Sequence, residues 1–128
     1  MNSDVSEAVA ELKRAFPDAK VIANDDGEGG ARVIVDPVDL GERFTPRKTW
    51  MGGHLTALYP NADIYPVFID ASVRRADGRA FEAPVSLNAT FDGRNAIQVS
   101  RRNNQIHACP QTAVAKFVKV IDFLEKLT

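Results

Sequence analysis

One cysteine, two histidines and one tryptophan are all that this 128-residue chain carries of the side chains that most often cross-link a fold, bind metals or stack on ligands. Cys109 has no partner within the chain, so no intramolecular disulfide framework is expected, and the length is enough for one core spanning residues 1–128 as a single domain. His54, His107 and Cys109 supply at most three nitrogen or sulfur ligands without the paired spacings of zinc sites, so neither a metal nor another cofactor is expected. Long apolar runs are missing too. The most apolar stretch, Ala113–Leu127, is interrupted by Lys116, Lys119, Asp122, Glu125 and Lys126, which excludes a membrane-spanning helix. With no basic, apolar leader at Met1–Asp4 and a single thiol, the expected setting is the reducing cytoplasm. Ser86, Ser100 and His54 lack a Gly-x-Ser-x-Gly elbow to make a hydrolase of them. Gly29-Gly30 is followed by no Lys-Ser/Thr and preceded by Asp25, Asp26 and Glu28, the composition of a turn rather than of a phosphate loop.

What is present is unevenly distributed. Residues 1–42 hold ten acidic and four basic side chains, residues 43–128 seven acidic and twelve basic, for a net charge of −1. That balance does not mark a dedicated nucleic-acid binder, although Arg74, Arg75, Arg79, Arg94, Arg101 and Arg102 offer a local patch for an acidic partner or simply a solvated basic edge.

Val5, Ala8, Val9, Leu12 and Phe16 recur at helical spacing, with Asp4 and Glu7 forming a capping box and Pro17 ending the helix. Ala19–Ala23 and Ala31–Val35 read as strands joined by a hairpin loop, and Asp36–Pro46 as a surface loop. Further strands are expected at His54–Tyr59, Val67–Val73, Pro84–Thr90 and Ala96–Ser100, with Asp-Gly turns at 76–79 and 91–94 and a polar loop over Arg101–Pro110. The last helix places Val114, Phe117, Val118, Ile121, Leu124 and Leu127 on an apolar stripe and Lys116, Lys119, Asp122, Glu125 and Lys126 opposite. The class is α+β: a four-stranded antiparallel meander with an N-terminal and a C-terminal helix.

Cys109 is the candidate nucleophile. It precedes a helix start, where partial positive charge lowers a thiol pKa, and His107 two residues away is placed to act as base or hydrogen-bond partner. The alternative is a packed structural thiol, since free cysteine is among the most buried residue types.

Thr45-Pro46, Trp50-Met51-Gly52-Gly53-His54-Leu55, Tyr59-Pro60 and Tyr65-Pro66 together resemble the centre of the ubiquitin-conjugating fold, in which a Thr-Pro-Tyr-x-Gly-Gly-hydrophobic segment opens a strand and an aromatic-Pro-x-x-Tyr-Pro loop follows. The thirteen residues from His54 through Pro66 match that family's spacing, and Ile97–Arg102 is similar to its divergent bacterial members. The resemblance implies a ubiquitin-like protein carried as a cysteine thioester, an activating enzyme that meets the first helix at Lys13 and Arg14, and a protein substrate whose amine is modified. The family's His-Pro-Asn and Ile-Cys-Leu segments are absent, and Gln98 stands where the cysteine would fall. Either the chain is a catalytically inactive binding module of that fold, or the thiol has moved to Cys109, with Asn103, Asn104 and Gln105 as candidate oxyanion donors.

Overall fold

The computed structural model describes every residue except Gln105, His107, Ala108, Cys109 and Thr128. Helix α1 (Ser3–Ala15) buries Val5, Ala8, Val9 and Leu12 on one face and ends at Phe16, just before Pro17. Its N-cap is Asn2 rather than Asp4: the Asn2 side-chain oxygen accepts from Val5 N at 2.9 Å, which leaves Asp4 inside the first turn.

Strand β1 (Lys20–Asp25) pairs antiparallel with β2 (Ala31–Asp39) through the expected hairpin. Strand β2 runs further than its composition indicates. Pro37 sits where the β2 register shifts between Val35 and Val38, so the ladder passes a residue that cannot donate. The segment Asp36–Pro46, expected as a loop, therefore holds the end of β2 and the short β3 (Phe44–Thr45). Next comes β4 (Lys48–Leu55), which replaces the strand expected at His54–Tyr59. Its glycines are accommodated because it lies inside the sheet and is crowded on both sides. A Cβ on Gly52 would lie 2.6 Å from Phe91, and one on Gly53 would lie 2.5 Å from Ile64 and 3.3 Å from Phe117.

The chain continues through β5 (Val67–Asp70), β6 (Arg74–Arg75), β7 (Val85–Phe91) and β8 (Arg94–Val99) to helix α2 (Ala113–Glu125). The large sheet has the order β1-β2-β4-β5-β8-β7, and β3 pairs with β6 in a small ribbon. Four strands thus run as a meander, and the β7–β8 hairpin adds two more, with β8 inserted beside β5. This corrects the four-stranded sheet expected from sequence; the α+β class, the two helices and the antiparallel pairing hold. Asp92 and Gly93 at the hairpin turn both have positive φ, the backbone that a tight two-residue turn requires. From that turn the Asp92 carboxylate accepts from Asn24 Nδ2 at 2.6 Å, tying the hairpin tip to β1.

Two apolar clusters result. The larger joins Leu12, Val33, Met51, Ile69 and Ile97 to Phe117, Val120 and Leu124 of α2. The smaller groups Ile34, Trp50, Phe91 and Ala96, with Phe68 stacked on Phe91 at 4.8 Å between ring centroids. Trp50 also receives Arg94 over its ring and donates from Nε1 to Asp70 at 2.9 Å. Among the described residues, no helix is long and apolar enough to cross a membrane.

Helix α2 departs from its expected stripe in two places. Val118 is 50% exposed, whereas Lys116 is buried at 3% among Ala113, Phe117 and Val120. Phe117 is fully enclosed, so Phe117→Ala is expected to cost about 3–5 kcal/mol of unfolding free energy. Val118→Ala should stay within about 0.5 kcal/mol. Urea unfolding of the two variants measures both, and equal losses would contradict this assignment of faces.

Candidate functional site

The start of α2 is built into the rest of the molecule by two polar contacts from the loop between β4 and β5. An α-helix begins with backbone N–H groups that have no intrahelical acceptor. Here Thr112 Oγ1 accepts from Ala115 N at 3.1 Å, and the Tyr59 hydroxyl oxygen accepts from Ala113 N at 2.8 Å. Burial raises the Tyr59 pKa, so the ring stays a neutral phenol. One helical turn on, Lys116 reaches Asp63, with Nζ 3.0 Å from Oδ1 and 3.1 Å from Oδ2, and also donates to the Arg101 carbonyl. The Asp63 carboxylate accepts in addition from Asn103 N at 2.7 Å. Desolvation lowers the Lys116 pKa, and the Asp63 hydrogen bond works against that loss.

The stretch from Arg101 to Thr112 is thereby held at both ends. At one end, Arg101 and Asn103 are bound to the Lys116–Asp63 pair; at the other, Thr112 and Ala113 form the capped helix start. Asn103 Nδ2 spans the two, donating to Gln111 Oε1 at 3.3 Å. Arg102 lies over the Tyr65 ring, 4.1 Å from its centroid. A cleft of about 460 Å³ opens between this stretch and the β4–β5 loop, walled by Leu58, Asn61, Asp63, Tyr65, Arg102 and Ile106. Leu58 at its rim is 71% exposed.

Cys109 and His107, the catalytic candidates, lie outside the described residues, as does Gln105 among the possible oxyanion donors. Of the other two donors, Asn103 is committed to Asp63 and Gln111, and Asn104 is exposed. Lys13 and Arg14 are exposed in the last turn of α1. Gln98 is half-buried in β8, its side chain donating to Ser100 Oγ at 3.1 Å.

The six arginines do not form one patch. Arg94 caps Trp50, Arg101 lies over Phe123 and Arg102 over Tyr65, while Arg74, Arg75 and Arg79 line a common cavity. His54 is instead bound to the β1–β2 turn, its Nε2 2.7 Å from Asp26 Oδ2. Asp26 Oδ1 accepts from Glu28 N and Gly30 N at 2.7 and 2.9 Å. Led by the His54 contact, these bonds hold the Asp26 carboxyl at about 2 against an ordinary 3.8. Among the described residues, no three His, Cys, Asp or Glu side chains gather as metal ligands would.

Sequence patterning missed Lys116, Asp63 and Tyr59. A signal for Lys116 was present, since it falls at helical spacing with Ala113, Val120 and Leu124 on the buried face. None existed for Asp63, which lies 53 residues away.

Two outcomes check this geometry. Lys116→Ala, which strands a buried carboxylate, is expected to cost about 3–5 kcal/mol, whereas Lys116→Met combined with Asp63→Leu should cost markedly less. Equal destabilisation in urea unfolding would show that the charge pair is not the coupled unit. Asp26 favours its ionised form in the folded state, so its stabilisation is complete above 3.8 and lost as pH falls towards 2. Asp26→Asn should flatten that part of the stability profile; parallel profiles for variant and wild type would refute the linkage. No family model matches this chain, and no curated protein or solved structure matches it either.

Proposed function

We propose that this chain is a ubiquitin-conjugating-like protein of divergent bacterial type, which accepts a ubiquitin-like modifier as a thioester on Cys109 and passes it to an amine of a protein substrate. The observation that carries the reading is the anchoring of the described residues that flank Cys109 in the chain. On one side Arg101 and Asn103 are held by Lys116 and Asp63, and on the other the helix start is capped by Thr112 and Tyr59. A carrier thiol needs a fixed approach path and a local field that favours thiolate, and the N-terminus of a helix supplies such a field. The element order agrees with the resemblance noted above: a first helix, four strands as a meander, and a later helix, with both helices joining one core. The β7–β8 hairpin is an addition to that plan.

In the proposed reaction, the Cys109 sulfur bonds to the carbonyl carbon at the modifier's C-terminus while the activating enzyme's sulfur leaves as thiolate. A substrate amine then bonds to the same carbon, Cys109 leaves as thiolate, and His107 takes the amine proton. Lys13 and Arg14, exposed at the end of α1, are the proposed contacts for the activating enzyme. The exposed Leu58 beside the cleft adds apolar surface of the kind a protein partner covers. One observation favours the second reading, an inactive binding module: Gln98, in the interior of β8, is no nucleophile.

Mixing the protein with candidate ubiquitin-like modifiers, an activating enzyme and ATP separates the two. A reductant-sensitive adduct is expected from wild type and not from Cys109→Ser, and His107→Ala should slow transfer roughly 100-fold. Failure of wild type to form an adduct with any of them, together with iodoacetamide labelling of Cys109 no faster than in an unfolded peptide, would favour the binding module.

A further inference from the structure

A second cavity lies away from the start of α2. It occupies about 650 Å³ between the β6 segment with its following loop and the β7–β8 hairpin. That volume is in the range of small-molecule sites. Three of the residues that line it are arginines, Arg74, Arg75 and Arg79, and no Asp or Glu is among the described residues that line it. Asp77, outside the cavity wall, is shared between Arg75 at 3.3 Å and Arg79 at 4.0 Å, so one negative charge faces two positive ones. Arg75 is the most telling of the three. Its side chain is only 10% exposed, yet it borders the cavity, and its carboxylate partner is the half-exposed Asp77. Enclosing a guanidinium is costly unless opposite charge completes its surroundings; Asp77 supplies one such charge, and Arg75 also borders a different cavity lined by Glu42 and Asp77.

The remaining wall is of two kinds. Phe81 and Leu87 contribute apolar surface, with Phe81 stacked on Phe44 and Leu87 exposed at the rim. Asn88, with φ of +63°, sits where the β7–β8 register shifts between Ser86 and Ala89. Such an irregularity is a common means of turning a side chain toward a ligand. One guanidinium nitrogen of Arg74 donates to the carbonyls of Ala71 and Val73, which fixes that side chain at the cavity's edge.

We propose that this cavity binds an organic phosphate, a phosphoryl group carried on an apolar body. The guanidinium fork matches phosphate oxygens two at a time, and three arginines bordering one cavity suit a dianion better than a single carboxylate. Phe81 and Leu87 take the apolar part. The proposal does not depend on the conjugation reading, because the cavity uses neither Cys109 nor any residue of the cleft beside α2.

The test is an amide ¹H–¹⁵N titration of the full chain with phenyl phosphate, with inorganic phosphate, benzyl alcohol and benzoate in parallel. Saturable shifts are expected at Asn88, Thr90 and Asn95 with phenyl phosphate, and binding at least tenfold weaker for each of the other three. Arg79→Gln should weaken phenyl phosphate binding at least tenfold. Because Arg79 is 66% exposed, this variant leaves the fold in place, whereas Arg75→Gln is first checked for its unfolding midpoint. Absence of saturable shifts at those three amides, wild-type affinity in Arg79→Gln, or equal affinity for benzoate or inorganic phosphate would each overturn the proposal. None of these outcomes bears on thioester formation.

Discussion

Two adjacent backbone positions without side chains, Gly52 and Gly53, let both faces of the sheet be covered. Strand β4 lies between β2 and β5, and successive residues of a strand point to opposite faces. At Gly52 the space that a methyl group would take is filled by the Phe91 ring; at Gly53 it is filled by Ile64 and Phe117. Phe91 brings the β7–β8 hairpin against one face, and Phe117 brings α2 against the other. Adding volume to a filled core forces neighbouring side chains and backbone to shift, so a residue with a Cβ at either position would displace one of the two coverings.

The covering by α2 carries a second constraint, because its buried face includes a lysine. Taking an ammonium out of water costs several kcal/mol unless partners replace the lost hydration. Asp63 and the Arg101 carbonyl do so, and the Asn103 amide completes the carboxylate. Such a pair adds little net stability but penalises every arrangement that separates its members. Its effect is to specify where Arg101 and Asn103 run after β8. The Tyr59 hydroxyl does the same at the helix start, and both Tyr59 and Asp63 come from the loop that follows β4.

Positive charge follows a comparable division of labour. Arg94, Arg101 and Arg102 lie on aromatic faces, where a guanidinium packs flat and keeps its edges for solvent. Arg74, Arg75 and Arg79 border one cavity, and Arg75 and Arg79 share a single carboxylate, Asp77. The same residue type thus serves packing in one region and a concentrated positive field in another, and the difference lies in the surroundings each backbone position supplies.

Local patterns in the chain by themselves determined the α+β class, the positions of both helices, the β1–β2 and β7–β8 hairpins and the end of α1 at Pro17, because periodicity, Asp-Gly turns and proline act within a few residues. The choice of Cys109 as candidate nucleophile rests on composition and on its place before a helix in the sequence, and the residue lies outside the described ones. Tertiary structure alone decided the length of β2 past Pro37, the use of Gly52-Gly53 as strand interior, the insertion of β8 beside β5, and the burial of Lys116 with Asp63. Each of these depends on groups distant in sequence: a neighbouring strand that tolerates a bulge, rings that occupy a missing Cβ, a carboxylate brought across from another loop. Their energies come from exclusion and pairing in three dimensions, which a local pattern of residues does not encode.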